Sequence, residues 1–276
     1  MTGEESEIVR RRATAMVTGG TSGIGAGFAR ALAAQGNHLV LVARDEERLA
    51  AAASELRGQY GVEVEVLTAD LADREQALHV ARRLEDDTQP IDTLVNNAGF
   101  GIHTLLTAED SDRHEVALNV MCRSVLLLGG AAGRAMRRRG RGRIINVSSV
   151  AGFAALGSYS AVKAWVTSYS EGLSIELAGT GVQVIALCPG WVRTEFHGRA
   201  GIRTSRIPAA LWLDVDDVVA QCLRDVRRGR VISIPSKRFR TLAWFARHGP
   251  RPIVRAVSAR MSTSRRPRPS STGGDR

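Results

Sequence analysis

Tyr159 and Lys163 lie four residues apart in Tyr159-Ser160-Ala161-Val162-Lys163, at the start of a helical pattern, so both side chains fall on one helix face. A phenol titrates near 10 in water, and an ammonium beside it favours the phenolate and lowers that value. Such a pair can give or take a proton close to neutral pH. The same spacing describes many surface pairs, so the decision rests on what accompanies it.

A second group of residues suits phosphate. The segment Thr18-Gly19-Gly20-Thr21-Ser22-Gly23-Ile24-Gly25 stands between an apolar β-rich run and the helical pattern AGFARALAAQG. Gly19 permits a tight turn, Gly23 lets backbone N–H groups approach a pyrophosphate, and Gly25 lets the helix pack closely on the strand. Gly19, Thr21, Ser22, Gly23, Ile24 and Gly25 are therefore the expected phosphate end of a dinucleotide site. An acid at the end of the second strand would pair with a free ribose 2′-hydroxyl and repel a 2′-phosphate. The sequence there is LVAR, with Ala43 at the acid's position and Arg44 next. A guanidinium suits bidentate phosphate contact, so NADP(H) is expected over NAD(H); the alternative is an Arg44 paired at the surface with Asp45 or Glu46. Asp70 and Leu71, in TADL, extend this end of the site. Asp70 is placed to accept from the adenine amino group, or else to cap the next helix.

Such residues need a sheet to position them. From Ala13 to about Ile234, apolar β-rich runs alternate with longer helical patterns, the signature of successive βαβ units. Seven strands are expected, near Ala13–Val17, His38–Val42, Val62–Leu67, Thr93–Asn96, Arg143–Val147, Gln183–Leu187 and Arg230–Ser233. In VEVEVL, Val62, Val64 and Val66 alternate with Glu63 and Glu65, which implies one wet face and a place at or near the sheet edge. Leu49, Ala52, Ala53 and Leu56 have helical spacing, with Asp45 suited to starting that helix. The five arginines of RRRGRGR, Arg137–Arg143, are expected as a solvated loop at the sheet end away from ligands. The fold class expected is α/β: a single Rossmann-type doubly wound domain with a seven-stranded parallel sheet and a C-terminal helical extension.

Composition narrows the class. A chain of 276 residues, 44% hydrophobic, holds one large α/β domain or two small ones, and no apolar run approaches the roughly 18 residues that span a bilayer. MTGEESEIVRRR lacks the layout of a secretory signal, and Cys122, Cys188 and Cys222 fit neither a disulfide framework nor metal-ligand spacing. Reduced, mostly buried thiols and a cytoplasmic location are expected. The net charge of +10 is uneven: from Ser236 to Arg276 there are 11 Lys/Arg and one acid, whereas the first 235 residues hold 27 bases and 27 acids. A neutral body with a basic tail argues against specific nucleic-acid binding.

TGGTSGIG, NNAG at Asn96–Gly99, VSS at Val147–Ser149, YSAVK, and PGWVRT at Pro189–Thr194 occur in an order that resembles the classical short-chain dehydrogenases/reductases. The resemblance covers about Ala13 to Ile234. It implies that Tyr159 is the general acid/base, that Lys163 lowers its pKa and hydrogen-bonds the nicotinamide ribose, that Ser149 holds the substrate oxygen, and that Asn119 holds a water linking Lys163 to solvent. It also implies that Asn96, Asn97, Ala98 and Gly99 lie beside the cofactor, and that Pro189, Gly190, Val192 and Thr194 cradle the nicotinamide carboxamide. Ser148 competes with Ser149, and Asn119 could instead bond its own backbone. Ser149 and Tyr159 are ten residues apart, about three fewer than in many relatives, which should reshape the substrate pocket. The motif set resembles most the branch with hydroxysteroid dehydrogenases and long-chain ketoacyl reductases. That implies a small-molecule ketone, aldehyde or alcohol substrate of apolar character, and a homodimer or homotetramer built on the helix carrying Tyr159 and Lys163. The alternative is an NADP-binding sensor or scaffold without turnover.

The expected division is an N-terminal arm over 1–12, the catalytic domain over 13–235, a basic amphipathic extension over 236–260 and a disordered tail over 261–276. Phe100, Phe153, Trp191 and Trp212 could line an apolar pocket, and Glu195–Leu211, with Arg199, Arg203 and Arg206, is a candidate lid. The extension reads as two short helices broken at Pro250 and Pro252 that could pack on the body, cover the pocket or make peripheral contact with an anionic membrane.

Overall fold

The computed structural model describes residues 11–102, 104–194 and 208–263; the candidate lid, including Arg199, Arg203 and Arg206, lies largely outside them. Seven strands form one sheet: β1 (Thr14–Thr18), β2 (His38–Ala43), β3 (Val64–Thr68), β4 (Thr93–Asn96), β5 (Gly142–Val147), β6 (Val182–Leu187) and β7 (Ile232–Ser233). Their order is β3-β2-β1-β4-β5-β6-β7 and every pairing is parallel. The chain reverses its direction of winding between β1 and β4, which opens a crevice at their carboxyl ends.

Helices cover both faces. On one face, α1 (Gly23–Ala33), α2 (Glu46–Tyr60) and α7 (Val215–Arg227) bury Phe28, Leu32, Leu49, Leu56, Val219 and Val226 against β1, β2 and β6. On the other, α3 (Arg74–Glu85), α5 (Ser124–Arg139) and α6 (Ser158–Glu176) bury Val80, Leu84, Leu128, Met136 and Leu173. Each fully buried Leu or Phe contributes roughly 1.5–3 kcal/mol, and the doubly covered sheet explains the near-continuous Val/Ile/Leu runs. Asp45 starts α2 as expected, its carboxylate accepting from the Arg48 N–H.

Several local expectations need correction. β3 is an edge strand, but its Glu65 face is covered: Arg83 of α3 donates from Nε at 3.0 Å to both carboxylate oxygens. The arginine-rich segment is largely a helix end, since Arg137–Arg139 close α5 and Gly140 caps it in the left-handed region at φ +69. Cations are favourable there against the helix dipole, and Arg138 and Arg139 pair with Asp87 at 3.1 and 3.2 Å. The helix Asp112–Arg139, made of α4 (Asp112–Leu118), a π-turn over Asn119–Arg123 and α5, is long and apolar enough to cross a membrane, but 61% of its apolar window is buried in the protein. Counting uninterrupted apolar runs missed it because Asn119 and Arg123 break the run without breaking the helix.

Beyond β7 the chain forms α8 (Lys237–His248) and α9 (Arg251–Thr263), divided at Gly249 and Pro250. Pro252 falls in the first turn of α9, where its missing N–H costs no hydrogen bond.

Candidate active site

The phosphate end is built by backbone. Gly19 adopts φ +65 where β1 gives way to α1, and a Cβ on residue 25 would stand 2.1 Å from the Gly19 carbonyl oxygen and 2.4 Å from Asn97 Nδ2. The concavity at the start of α1 therefore requires glycine, and the close neighbour of Gly25 is the glycine turn rather than the strand. The Thr18 hydroxyl accepts from the N–H groups of Asn97 (2.9 Å) and Ala98 (3.0 Å), while the Asn97 amide donates to the carbonyls of Thr18 (3.0 Å) and Gly19 (3.1 Å). These bonds lock the turn after β4 to the loop after β1. Sequence reasoning missed Thr18, whose signal is a hydroxyl at the last position of β1.

Gly19, Thr21, Ser22, Gly23 and Ile24 line the crevice, as do Arg44, Asp70, Leu71, Asn97, Ala98, Gly99, Pro189, Gly190, Val192 and Thr194. Arg44 is exposed and has no ion pair among the described residues; Asp45, its expected surface partner, is the α2 cap. Asp70 does not cap α3. Its carboxylate accepts from the Ala72 N–H at 2.9 Å, and Asp73 is the cap, accepting from the Gln76 N–H at 2.8 Å. Asn96 stays out of the crevice: it is buried in β4 and donates to Asn146 Oδ1 at 2.9 Å.

At the chemical end, α6 starts just before Tyr159 and presents Tyr159 and Lys163 together, both against the crevice. Lys163 is 5% exposed; its ammonium donates to the Val147 carbonyl at 2.8 Å and lies 5.8 Å from the centre of the Tyr159 ring. Ser149 hydrogen-bonds Tyr159, accepts from the Ala151 N–H at 3.2 Å, and reaches the Pro189 carbonyl at 3.4 Å. Ser148 points away: its buried hydroxyl donates to the Lys163 carbonyl at 2.7 Å and meets Thr167 at 2.8 Å. Asn119 is half-buried at the π-turn, where its backbone carbonyl accepts from the Ser124 N–H, and it does not line the crevice.

The expected depression of the tyrosine is not what the structure shows. Burial pushes Tyr159 up to about 12, and the Ser149 hydrogen bond offsets only part of that. Burial also brings Lys163 down to about 8. Desolvation penalises each charged form more than the Ser149 hydrogen bond on Tyr159, or Cys122 and Cys188 near Lys163, offset it. The Tyr159 phenol is therefore protonated at neutral pH, which is the proton-donor form. All three cysteines are free and buried, and burial raises each thiol.

The crevice continues past Tyr159 into a chamber, together about 630 Å³. Phe100 and Trp191 line it, but Phe153 and Trp212 do not. Trp212 instead pairs backbone to backbone with Trp191 in the two-residue ribbon Trp191–Val192 with Trp212–Leu213. The remaining apolar wall comes from the extension, with Phe239, Leu242 and Phe245 of α8 and Val254 and Val257 of α9. The extension thus both packs on the body and covers the pocket. Ser258, 4% exposed, is the polar group in that wall. Its hydroxyl accepts from the Ala155 N–H at 3.4 Å, bracing the short turn after Ser149. Within each helix separately, the three- and four-residue spacing of Phe239, Ala243 and Ala246, and of Val254 and Ser258, carried this wall in the sequence.

A glycine cradle at a helix N-terminus, with a Tyr-Lys pair and a serine beyond it at the carboxyl edge of a parallel sheet, defines a nucleotide-binding oxidoreductase that interconverts alcohols and carbonyls. Residues 13–203 match the short chain dehydrogenase family, and the chain belongs to it. It is similar to a short-chain dehydrogenase from Sphingobium yanoikuyae in complex with NADPH, at 34% identity and TM-score 0.78 over 95% of this chain and 98% of that one. It is also similar to the bulky-bulky ketone specific alcohol dehydrogenase from Comamonas testosteroni, at 30% identity and TM-score 0.73 over 95% and 97%. The galactitol 2-dehydrogenase (L-tagatose-forming) of Cereibacter sphaeroides is 38% identical over 74% of this chain and 80% of that protein.

Proposed function

We propose that this chain reversibly reduces a bulky, apolar ketone or aldehyde to an alcohol with NADP(H) as the preferred dinucleotide. The observation that carries this reading is the continuity between the Ser149–Tyr159–Lys163 cluster and the apolar chamber walled by α8 and α9. The bound nicotinamide would supply or accept the hydride. Tyr159 donates its phenolic proton to the carbonyl oxygen, and the Ser149 hydroxyl donates a hydrogen bond to the same oxygen. Lys163, charged below about 8, stabilises the phenolate left behind and meets the nicotinamide ribose. Asn119 carries the water that returns the proton from solvent. Gly19, Thr21, Ser22, Gly23, Ile24 and Gly25 hold the pyrophosphate at the start of α1, with Asp70, Leu71, Asn97, Ala98 and Gly99 along the adenosine and ribose. Pro189, Gly190, Val192 and Thr194 hold the carboxamide.

NADP(H) preference rests on Ala43 and on Arg44, which stands at the crevice edge without an ion-pair partner among the described residues. The apolar substrate rests on the chamber wall, which relatives with polyol substrates need not share. Buried free thiols support a cytoplasmic protein, and exposed Leu126 and Ile175 on α5 and α6 support a homodimer through that face.

A panel of ketones graded in size, assayed with NADPH and NADH, tests the reading. Oxidation of NADPH by bulky aryl or alkyl ketones, lost in Tyr159→Phe without loss of NADPH binding, is expected. Binding without oxidation across the panel would make the chain a sensor.

A further inference from the structure

The helices α8 and α9 turn one side to the chamber and leave an unusual surface on the other. Trp244 is 64% exposed and stacks on His248 with ring centres 5.4 Å apart. Leu242, Phe245 and Val257, which line the chamber, are also 55%, 44% and 48% exposed, so they form the rim of its mouth. Lys237, Arg240, Arg251 and Arg255 are all exposed along the same two helices. Arg247 is used differently, paired with Glu171 at 3.5 Å, which ties α8 to α6. Asp275 is the sole acid after Asp225.

We propose that this face docks on an anionic lipid bilayer, with the mouth of the chamber against the lipid. Exposed Trp244, Leu242, Phe245 and Val257, on the same two short helices as exposed Lys237, Arg240, Arg251 and Arg255, match an interfacial amphipathic element. The alternative occupant, a second copy related by a two-fold axis, would bring this cationic face against itself, and α8 and α9 contain no Asp or Glu to answer the charge. An anionic surface complements it along its whole length. An apolar rim opening there admits a lipid-soluble substrate without passage through water. That consequence rests on the reaction proposed above, whereas the docking does not.

The test is co-sedimentation of the full chain with phosphatidylcholine vesicles, with and without about 30% phosphatidylglycerol, at low and high salt. Pelleting with the anionic vesicles, release by salt and background pelleting with phosphatidylcholine alone are expected. Neutralising one cation near an anionic leaflet costs about 1 kcal/mol, so Lys237→Gln with Arg240→Gln should weaken vesicle affinity by about 25-fold. Trp244→Ser should weaken it with no change in melting temperature. Equal pelleting with both vesicle types, or variants that pellet like the parent, would overturn the proposal. So would a parent that ignores vesicles while Trp244→Ser lowers its sedimentation coefficient, which would make the face a contact between copies. None of these readouts needs turnover, so a failed ketone panel leaves this result interpretable.

Discussion

The Phe239 ring occupies the space that a side chain at Gly190 would need: a Cβ built on residue 190 would stand 2.2 Å from the ring carbon Cζ. Phe239 is 2% exposed and meets Trp191 edge-on with ring centres 5.8 Å apart. The first turn of α8 is thereby seated on the segment proposed to hold the nicotinamide, which couples the chamber wall to the cofactor site.

Gly190→Ala should therefore push α8 outward. Overpacking of this kind costs about 1–3 kcal/mol, and the melting temperature should fall by roughly 2–4 °C per kcal/mol. The Michaelis constant for a bulky ketone should rise more than kcat falls, because the wall moves while Tyr159 does not. An alanine variant with parental melting and kinetics would show that α8 is not seated there.

The two neighbouring serines should separate cleanly. Ser148→Ala removes a buried hydroxyl bonded to the Lys163 carbonyl and Thr167, at a cost of about 1–3 kcal/mol of stability with most of kcat retained. Ser149→Ala should keep the melting temperature and lose on the order of 100-fold in kcat. Thermal melts and single-substrate kinetics on both variants decide the assignment, and a reversed pattern would exchange the roles.

Lys163 links pH to both rate and stability. Its pKa falls from 10.5 unfolded to about 8 folded, so between those values the unfolded chain holds a proton that the folded chain has released. The Lys163 contribution to stability should accordingly rise with pH from about 8 to 10, by up to about 3 kcal/mol. Cys122, Cys188 and Cys222 work the other way from about pH 9 and Tyr159 from about pH 10, each holding its proton longer folded than unfolded, so the lysine's part is read as the difference between parent and Lys163→Met. Carbonyl reduction should meanwhile decline above about pH 8 as the ammonium is lost. Melts and rates of parent and Lys163→Met across this range test both trends, and a variant with the same pH dependence of stability would refute the linkage.

Arg44→Asp should weaken NADPH binding by about 10- to 100-fold, the worth of hydrogen bonds to a charged partner, and leave NADH within a few-fold. Titration of both dinucleotides measures the ratio. An unchanged ratio would place the determinant elsewhere, with Arg48 the next side chain along the crevice.

Much of this molecule is legible in one dimension because its decisive features are local. The cradle is eight residues read in a row, Tyr159 and Lys163 share a face because a helix turns every 3.6 residues, and β3 announces its edge position by alternation. Seven strands and their order of appearance follow from the same periodicities, and the family resemblance follows from the order of the TGGTSGIG, NNAG, VSS, YSAVK and PGWVRT motifs.

What needed three dimensions depends on contacts between distant segments. Ser148 and Ser149 are equivalent in composition; the packing of β5 against α6 gives one to the Lys163 carbonyl and the other to Tyr159. Burial, which no spacing encodes, sends the tyrosine up rather than down. Asn96 and Asn97 divide, one into the sheet and one onto the glycine loop, because Asn96 is the last residue of β4 and Asn97 begins the turn after it. The chamber wall comes from residues after 235, brought to the short turn by Ser258 and Ala155, 103 positions apart. Residue spacing along the chain conveys periodicity within an element, whereas the shape and electrostatics of the site arise where the elements meet.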